Sequence, residues 1–295
     1  AWGANLDRAR QYSAPDGTVF SMVFQFEQMV LDHTGNKWEP KDFALPQLKE
    51  SIARWQKGLH GCGWNSLFWN NHDLPRIVSR WGDDGAHRVD SAKALAVALH
   101  GLQGTPYIYQ GEELGMTNVD FPLEDLRDLE SINAYHELIA KGEPEELAMA
   151  HIHRMMRDNA RTPMQWTAGP NAGFTTGTPW MKLNPNHTEI NAEAALADPD
   201  SVFYTYQKLI ALRKEHPVFV EGDFTLLCPE DKQVFAYLRR GAGQELLAAV
   251  NLSGQQAAFD LPEAFRGCTP LLVTQGAPQD GVLRPWEAVL WLRSL

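Results

Sequence analysis

Apolar and polar positions fall into repeated blocks along the first part of the chain. Segment 18–27, TVFSMVFQFE, is a near-continuous apolar run that ends in polar residues, and it predicts a strand buried on both faces. In segment 45–59, Leu45, Leu48, Ile52, Trp55 and Leu59 recur in steps of three and four, which predicts a helix with one apolar stripe. Pro46 stands in its first turn, where a missing N–H is tolerated. NSLFWNNHD (65–73) reads as a short strand ending in a polar cluster. DSAKALAVALHGLQG (90–104) reads as a helix, with Asp90 or Ser91 to cap its start and Gly104 its end. TPYIYQGEE (105–113) is again a strand followed by a polar cluster. Strand, polar loop and helix in repetition predict parallel βα units, which keep their chemistry at the carboxyl ends of the strands.

Residues 114–143 form a long acidic, partly helical insert, and 157–191, rich in Pro, Gly, Asn, Thr and Trp, reads mostly as loop. Long irregular loops in compact domains are usually functional. SVFYTYQKLIALRKE (201–215) predicts a helix capped by Ser201, with Arg213 and Lys214 complementing the dipole at its end. After Pro217 the pattern changes to period two. Six short runs, from FTLL to AVLWLRS, are separated by Gly, Pro and Asp turns and predict a small antiparallel sandwich. The expected division is an α/β part over 1–216 and an all-β domain over 217–295. No internal repeat or low-complexity tract is present.

Composition narrows the classes of function. Hydrophobic residues are 44% and charged residues 21%, enough for a full core and too little charge for a disordered chain. Lys and Arg number 26 against 37 Asp and Glu, a net charge of −11, which argues against nucleic acid or an anionic lipid surface as partner. No apolar run approaches the roughly 20 residues of a membrane span. The opening AWGANLDRARQY lacks the apolar centre of a signal peptide. Cys62, Cys228 and Cys268 lie far apart with no CxxC pair, which suits a reducing compartment and argues against a zinc site; the expected location is cytoplasmic.

Four constellations can carry chemistry. Asn70-Asn71-His72-Asp73 offers two amides, an imidazole and a carboxylate to several hydroxyls at once, or is simply an Asx turn at a strand end. Arg157 and Arg161 in RDNARTP can anchor a carboxylate, or form a surface salt-bridge turn. Glu112 and Glu113 suggest acid/base work or a cation, although a solvated helix start favours acids anyway, and that plainer reading is preferred. Among 10 tryptophans, Trp64, Trp69, Trp81, Trp166 and Trp180 lie in or beside the polar loops, where an indole can face a sugar ring or pack in a core.

Taken together, WNNHD with LPRIVSRWGDDG, GTPYIYQGEELGMTN, RDNARTPMQW, NAGFTTGTPW and NPNHTEIN resemble the exo-acting α-glucosidase branch of glycoside hydrolase family 13. Within it, oligo-1,6-glucosidases and trehalose-6-phosphate hydrolases are the nearest in pattern. The resemblance runs from about residue 19 to the C-terminus. It implies a TIM barrel with a C-terminal β-sandwich, and a retaining mechanism with a nucleophile, a general acid/base and a third carboxylate that grips sugar hydroxyls. Asp73 matches that third carboxylate, the transition-state stabiliser. His72 matches its hydroxyl-binding neighbour, and Arg157 the arginine bordering the same subsite.

The GFRxD motif of the nucleophile and the GE motif of the general acid have no counterpart here. Gly111-Glu112 and Gly142-Glu143 belong elsewhere in the pattern. The expectation is therefore the C-terminal part of a TIM (β/α)8 barrel, about strands 6–8, followed by the sandwich. It would need the missing N-terminal barrel half for closure and be inactive alone. The resemblance implies release of non-reducing-end glucose from isomalto- or malto-oligosaccharides, with trehalose-6-phosphate hydrolysis as the alternative. A non-catalytic remnant that binds sugar or a partner is the reading of another class. Arg76, Arg80, His87 and Arg88 are the candidates for a phosphate. Isomaltulose synthases share RDNxRTP but carry an RLDRD-like loop, from which VLDHT (30–34) departs. Many relatives bind Ca²⁺ near the first barrel strand, a region without counterpart here, so no metal and no other cofactor is expected in this chain.

Overall fold

The apolar stripe of 45–59 forms the helix it predicts. In a computed structural model, Leu45–Leu59 is helical, with Pro46 in the first turn and Leu45, Leu48, Ile52, Trp55 and Leu59 all buried. The structure describes Gly3 and residues 5–295; residues 1, 2 and 4, in the opening segment read as lacking a signal peptide, lie outside the described residues.

In chain order, α1 is Leu6–Tyr12, β1 Val23–Phe24, α2 Leu45–Leu59, β2 Asn65–Leu67, α3 Ile77–Arg80, α4 Arg88–His100 and β3 Thr105–Pro106. There follow α5 Leu129–Ala140, α6 Glu145–Met155, α7 Asp158–Arg161, α8 Ala192–Ala197, α9 Val202–Glu215 and α10 Val218–Glu221. The remainder is β4 Thr225–Leu227, β5 Val234–Gly241, β6 Gln244–Asn251, β7 Ala257–Ala258, β8 Pro270–Val273, β9 Val282–Leu283 and β10 Ala288–Ser294. β1, β2 and β3 pair in parallel in that order, with Val23 opposite Asn65 and Ser66 opposite Thr105. This is the βα rhythm the apolar blocks predicted.

The parallel strands are shorter than predicted. Of 18–27 only Val23–Phe24 pairs, and Val19 and Phe20 are exposed rather than buried. In 65–73 and 105–113 the ladder stops after three and two residues, and the chain turns outward into the polar clusters. An apolar run thus does not fix the length of hydrogen-bonded strand: residues 65–70 stay buried beyond the ladder, whereas Val19 and Phe20 do not. The α4 helix runs 88–100 rather than 90–104. Neither Asp90 nor Ser91 caps it, because the Ser91 hydroxyl donates back to the Asp83 carbonyl at 2.9 Å. The acidic insert is more helical than expected and reaches Met155 through α5 and α6.

The C-terminal strands form an antiparallel five-stranded sheet, β4-β5-β6-β10-β8, faced by the two-stranded pair β7-β9. Val234, Leu247, Phe265, Leu283 and Trp291 fill the space between the two sheets. The other face of the large sheet is equally dry. Phe235, Leu246 and Leu290 share one core with Leu48 of α2, Leu95 of α4 and Leu209 of α9. This explains α4, whose residues from Ser91 to His100 are all buried. Held between α9 and the sheet, it has no polar side, and alanine lets both neighbours approach. Gly101 continues this seam, since a Cβ there would lie 2.1 Å from the Tyr237 hydroxyl.

Cations donating to main-chain carbonyls pin the seam. Arg239, fully buried, donates to the carbonyls of Gly101 (2.8 Å), Gly222 (2.6 Å), Asp223 (2.8 Å) and Phe219 (3.3 Å). Lys49 reaches from α2 to the carbonyls of Cys228, Asp231 and Val234. Replacing Arg239 by Met leaves several buried carbonyls without donors. Each such orphan costs about 1–3 kcal/mol, so the expected loss of stability is about 3 kcal/mol or more by urea denaturation. A loss below about 1 kcal/mol would show that water replaces the guanidinium.

Candidate active site

Asp73 lies just beyond β2, in the loop Asn70–Arg76. Its backbone N–H donates to Asn71 Oδ1 at 2.8 Å, so the Asx turn foreseen for this motif is present. That turn leaves the carboxylate half exposed at the strand end, where three cationic or polar side chains meet it. Arg161 Nη2 donates to Asp73 Oδ1 at 2.7 Å, and Arg161 Nε donates to the His72 carbonyl at 2.9 Å. Arg157 Nη1 lies 3.7 Å from the same carboxylate oxygen, and His72 Nε2 lies 3.2 Å from Oδ2. The two arginines of RDNARTP therefore converge on one carboxylate, as their four-residue spacing on α7 and its N-cap allows.

Arg157 is itself held from behind. It donates to Asp128 Oδ1 from Nη2 at 2.5 Å and from Nε at 3.1 Å, and Glu130 lies 3.4 Å away. Asp128 caps α5 and accepts a 2.6 Å bond from Ser131. Burial alone would raise its carboxyl, but the bonds from Arg157 and Ser131 win and hold it at about 2. The same pairing raises Arg157 above the ordinary guanidinium range. Asp158, buried in α7, accepts from the backbone N–H groups of Arg127 and Asp128 and joins the two helix starts.

These groups open onto a cleft of about 620 Å³, lined among others by Phe26, Trp38, His72, Asp73, Glu130 and Arg157. That volume fits a small ligand. Lys37, which also lines it, lies over the Trp38 ring at 4.4 Å and pairs with Glu130 at 2.8 Å. An ordered chain of charges thus runs Lys37, Glu130, Arg157, Asp73 along one wall.

His72, Asp73 and Arg157, singled out from the sequence, are brought together. Arg161 was visible in the same motif and proves the closer arginine. Asp128, Glu130 and Lys37 were not foreseen, because nothing in their spacing links them to residue 73. The phosphate candidates are placed elsewhere or engaged. Arg80 is buried against Asp32 (2.6 Å), and Arg76 donates to the carbonyls of Asn159, Gln110 and Ala160. Burial lowers Arg76 to about 10. Arg88 donates to the carbonyls of Leu114 and Gly115. Glu112 and Glu113 do not lie at a solvated helix start as preferred above. Glu112 is buried, and burial pushes it up to about 7. Of the tryptophans, Trp69 and Trp81 are core, their indoles donating to Leu95 O and Asp32, while Trp166 and Trp180 are exposed.

Asp73 thus lies beyond the carboxyl end of a parallel strand, held by arginines and facing a cleft. The chain belongs to the family described as alpha amylase, catalytic domain, whose model matches residues 1–222, and the maltogenic amylase C-terminal domain matches 224–282. It is 50% identical to an oligo-1,6-glucosidase of Halalkalibacterium halodurans over 98% of this chain and 53% of that protein. It is 47% identical to a trehalose-6-phosphate hydrolase of Bacillus subtilis, over 97% of this chain and 53% of that one. The crystal structure of Bacillus licheniformis trehalose-6-phosphate hydrolase superposes with a TM-score of 0.95 at 43% identity, covering 99% of this chain and 55% of that one. The chain thus spans about half the length of the curated relatives it matches, and it corresponds to their C-terminal half.

Asp128 is more acidic folded than unfolded, so its contribution to stability is full above about pH 4 and fades as pH falls toward 2. Its size is about 2 kcal/mol. Unfolding by urea between pH 6 and 2.5 is expected to show this loss in the native chain and not in Asp128→Asn, whose stability is already lower at pH 6. Equal acid sensitivity of the two would place the Arg157 anchor elsewhere.

Proposed function

We propose that this chain carries the substrate-gripping side of a retaining α-glucosidase. The enzyme releases non-reducing-end glucose from short α-glucosides such as isomalto- and malto-oligosaccharides. The observation that carries the reading is Asp73, fixed by Arg161 and flanked by Arg157 and His72 at the mouth of the cleft. Its carboxylate accepts hydrogen bonds from the 2-OH and 3-OH of the terminal glucose, and His72 adds a further polar contact. Such bonds strengthen as the ring flattens toward the oxocarbenium ion, so they favour the transition state over the ground state. Arg157 and Arg161 keep Asp73 aimed while it does so. The nucleophile and the general acid come from barrel segments that this sequence does not contain. Those segments also pair with the open edges of the β1-β2-β3 sheet, and they are the partner the chain requires. The chemistry of this half calls for no cofactor and no metal ligand. No helix among the described residues is long and apolar enough to cross a membrane, and the three unpaired cysteines support a cytoplasmic setting.

Trehalose-6-phosphate hydrolysis is the second reading, supported by the Bacillus relatives. Against it stands the engagement of the cations: Arg76, Arg80 and Arg88 are committed to carbonyls or Asp32, and Lys37 to Glu130. A neutral glucoside is therefore the better match.

The test is complementation with the N-terminal half of the Halalkalibacterium oligo-1,6-glucosidase. The chain alone is expected to show no turnover of p-nitrophenyl α-glucoside above background. The complemented pair is expected to cleave it and isomaltose, with kcat/KM falling about a thousandfold or more in Asp73→Asn. Turnover by the chain alone would sink the reading. Preference for trehalose 6-phosphate would select the second, and binding without turnover the non-catalytic one.

A further inference from the structure

Glu112 has no place in the chemistry above, yet it is buried directly behind the Asp73 loop. It lies in the 3-10 turn Glu112–Leu114 after β3 and is only 4% exposed. Its Oε1 accepts a 2.7 Å bond from the Tyr206 hydroxyl of α9, and the Asn70 side chain also bonds to the carboxyl. Asn70, equally buried, begins the loop that carries Asp73. Arg76 ends that loop, and its Nη1 donates to the carbonyl of Gln110 at 2.6 Å, two residues before Glu112. One short turn therefore touches the loop at both ends, and between them Asn71 accepts the Asp73 N–H.

We propose that Glu112 is a positioning residue: with the Gln110 carbonyl it clamps the two ends of the Asn70–Arg76 loop and so sets where Asp73 points. The consequence for catalysis rests on the function proposed for Asp73; the clamp itself does not.

The local balance of donors makes the clamp sensitive to protonation. The second oxygen of Glu112 and the amide oxygen of Asn70 are buried without a donor among the described residues. A proton on the carboxyl supplies a donor to this oxygen-rich spot, whereas an ionised Glu112 leaves a buried charge short of partners. The groups facing it are Glu113 on its own turn, Arg76 at the far end of the loop, and Tyr206 from α9, with His100 of α4 against the Tyr206 ring at 5.2 Å. Burial and the Glu113 charge favour the neutral acid; Tyr206, Asn70 and the backbone favour the carboxylate, and burial wins. A group raised in this way supports the fold while protonated. Its support is lost as pH rises toward and through 7.

Hydrogen–deuterium exchange of the full chain between pH 5.5 and 8.5, corrected for intrinsic rates, tests this without any sugar present. Protection of peptides covering 70–76 is expected to fall about tenfold from pH 6 to 8, while α2 stays constant. Glu112→Gln keeps the neutral bonds and is expected to flatten the profile. Tyr206→Phe removes a bond that favours the carboxylate and is expected to move the step to higher pH. A flat native profile, a step that survives in Glu112→Gln, or a parallel change in α2 would overturn the clamp. Because the readout is loop protection, its failure is separate from failure of the glucosidase assay.

Discussion

Arg76 gives its guanidinium hydrogens to main-chain carbonyls of Gln110, Asn159 and Ala160, in a site with no access to water. Removing a charge from water is costly, and carbonyl dipoles must replace the lost hydration at short range and in fixed directions. That requirement ties the loop after β2 to the turn after β3 and to α7. Asp73 sits in the first of these segments and Arg157 and Arg161 in the last, so the ionic grip on Asp73 depends on a cation that never touches it. The same device recurs at the seam, where Arg239, Arg213 and Lys49 each gather carbonyls from several segments. In this chain, buried charge organises loops that apolar packing leaves undetermined.

Much of this was legible from the residues. The helix at 45–59 follows from five apolar positions on one stripe, and the helix ending at Glu215 from its periodicity and basic last turn. The convergence on Asp73 was foreshadowed by the Arg157 and Arg161 spacing. What stayed hidden has a common cause. Arg76 and Arg88 look like surface cations in a polar loop, because a side chain that takes carbonyls as partners leaves no complementary residue in the sequence to betray it, and the acidic partner of Arg80, Asp32, stands 48 positions away. Glu112 beside Glu113 looks solvated for the same reason, since its partners Tyr206 and Asn70 stand 94 and 42 positions away. The strand at 65–73 was overread because core burial extends to Asn70, beyond the paired residues, and the one at 18–27 because its apolar start at Val19 and Phe20 is exposed.

The C-terminal sheet illustrates how one pattern can satisfy two cores. Period-two alternation predicts an inner and an outer face. Here both faces of β5, β6 and β10 are dry, one toward β7 and β9 and the other toward α4 and α9. The alanine-rich α4 is the piece that makes this geometry work, and Gly101 lets its end meet Tyr237. The sheet is thus as much a wall of the α/β part as a unit of its own.

Arg157 faces two carboxylates of very different solvent access: Asp128, almost entirely enclosed, and Asp73, nearly half open. Dissolved ions screen the second attraction far more than the first. Rising ionic strength therefore slackens the grip on the group that meets the ligand while the anchoring pair beneath it holds. The enclosed pair is a foundation that salt reaches weakly, and the open one an adjustable contact upon it.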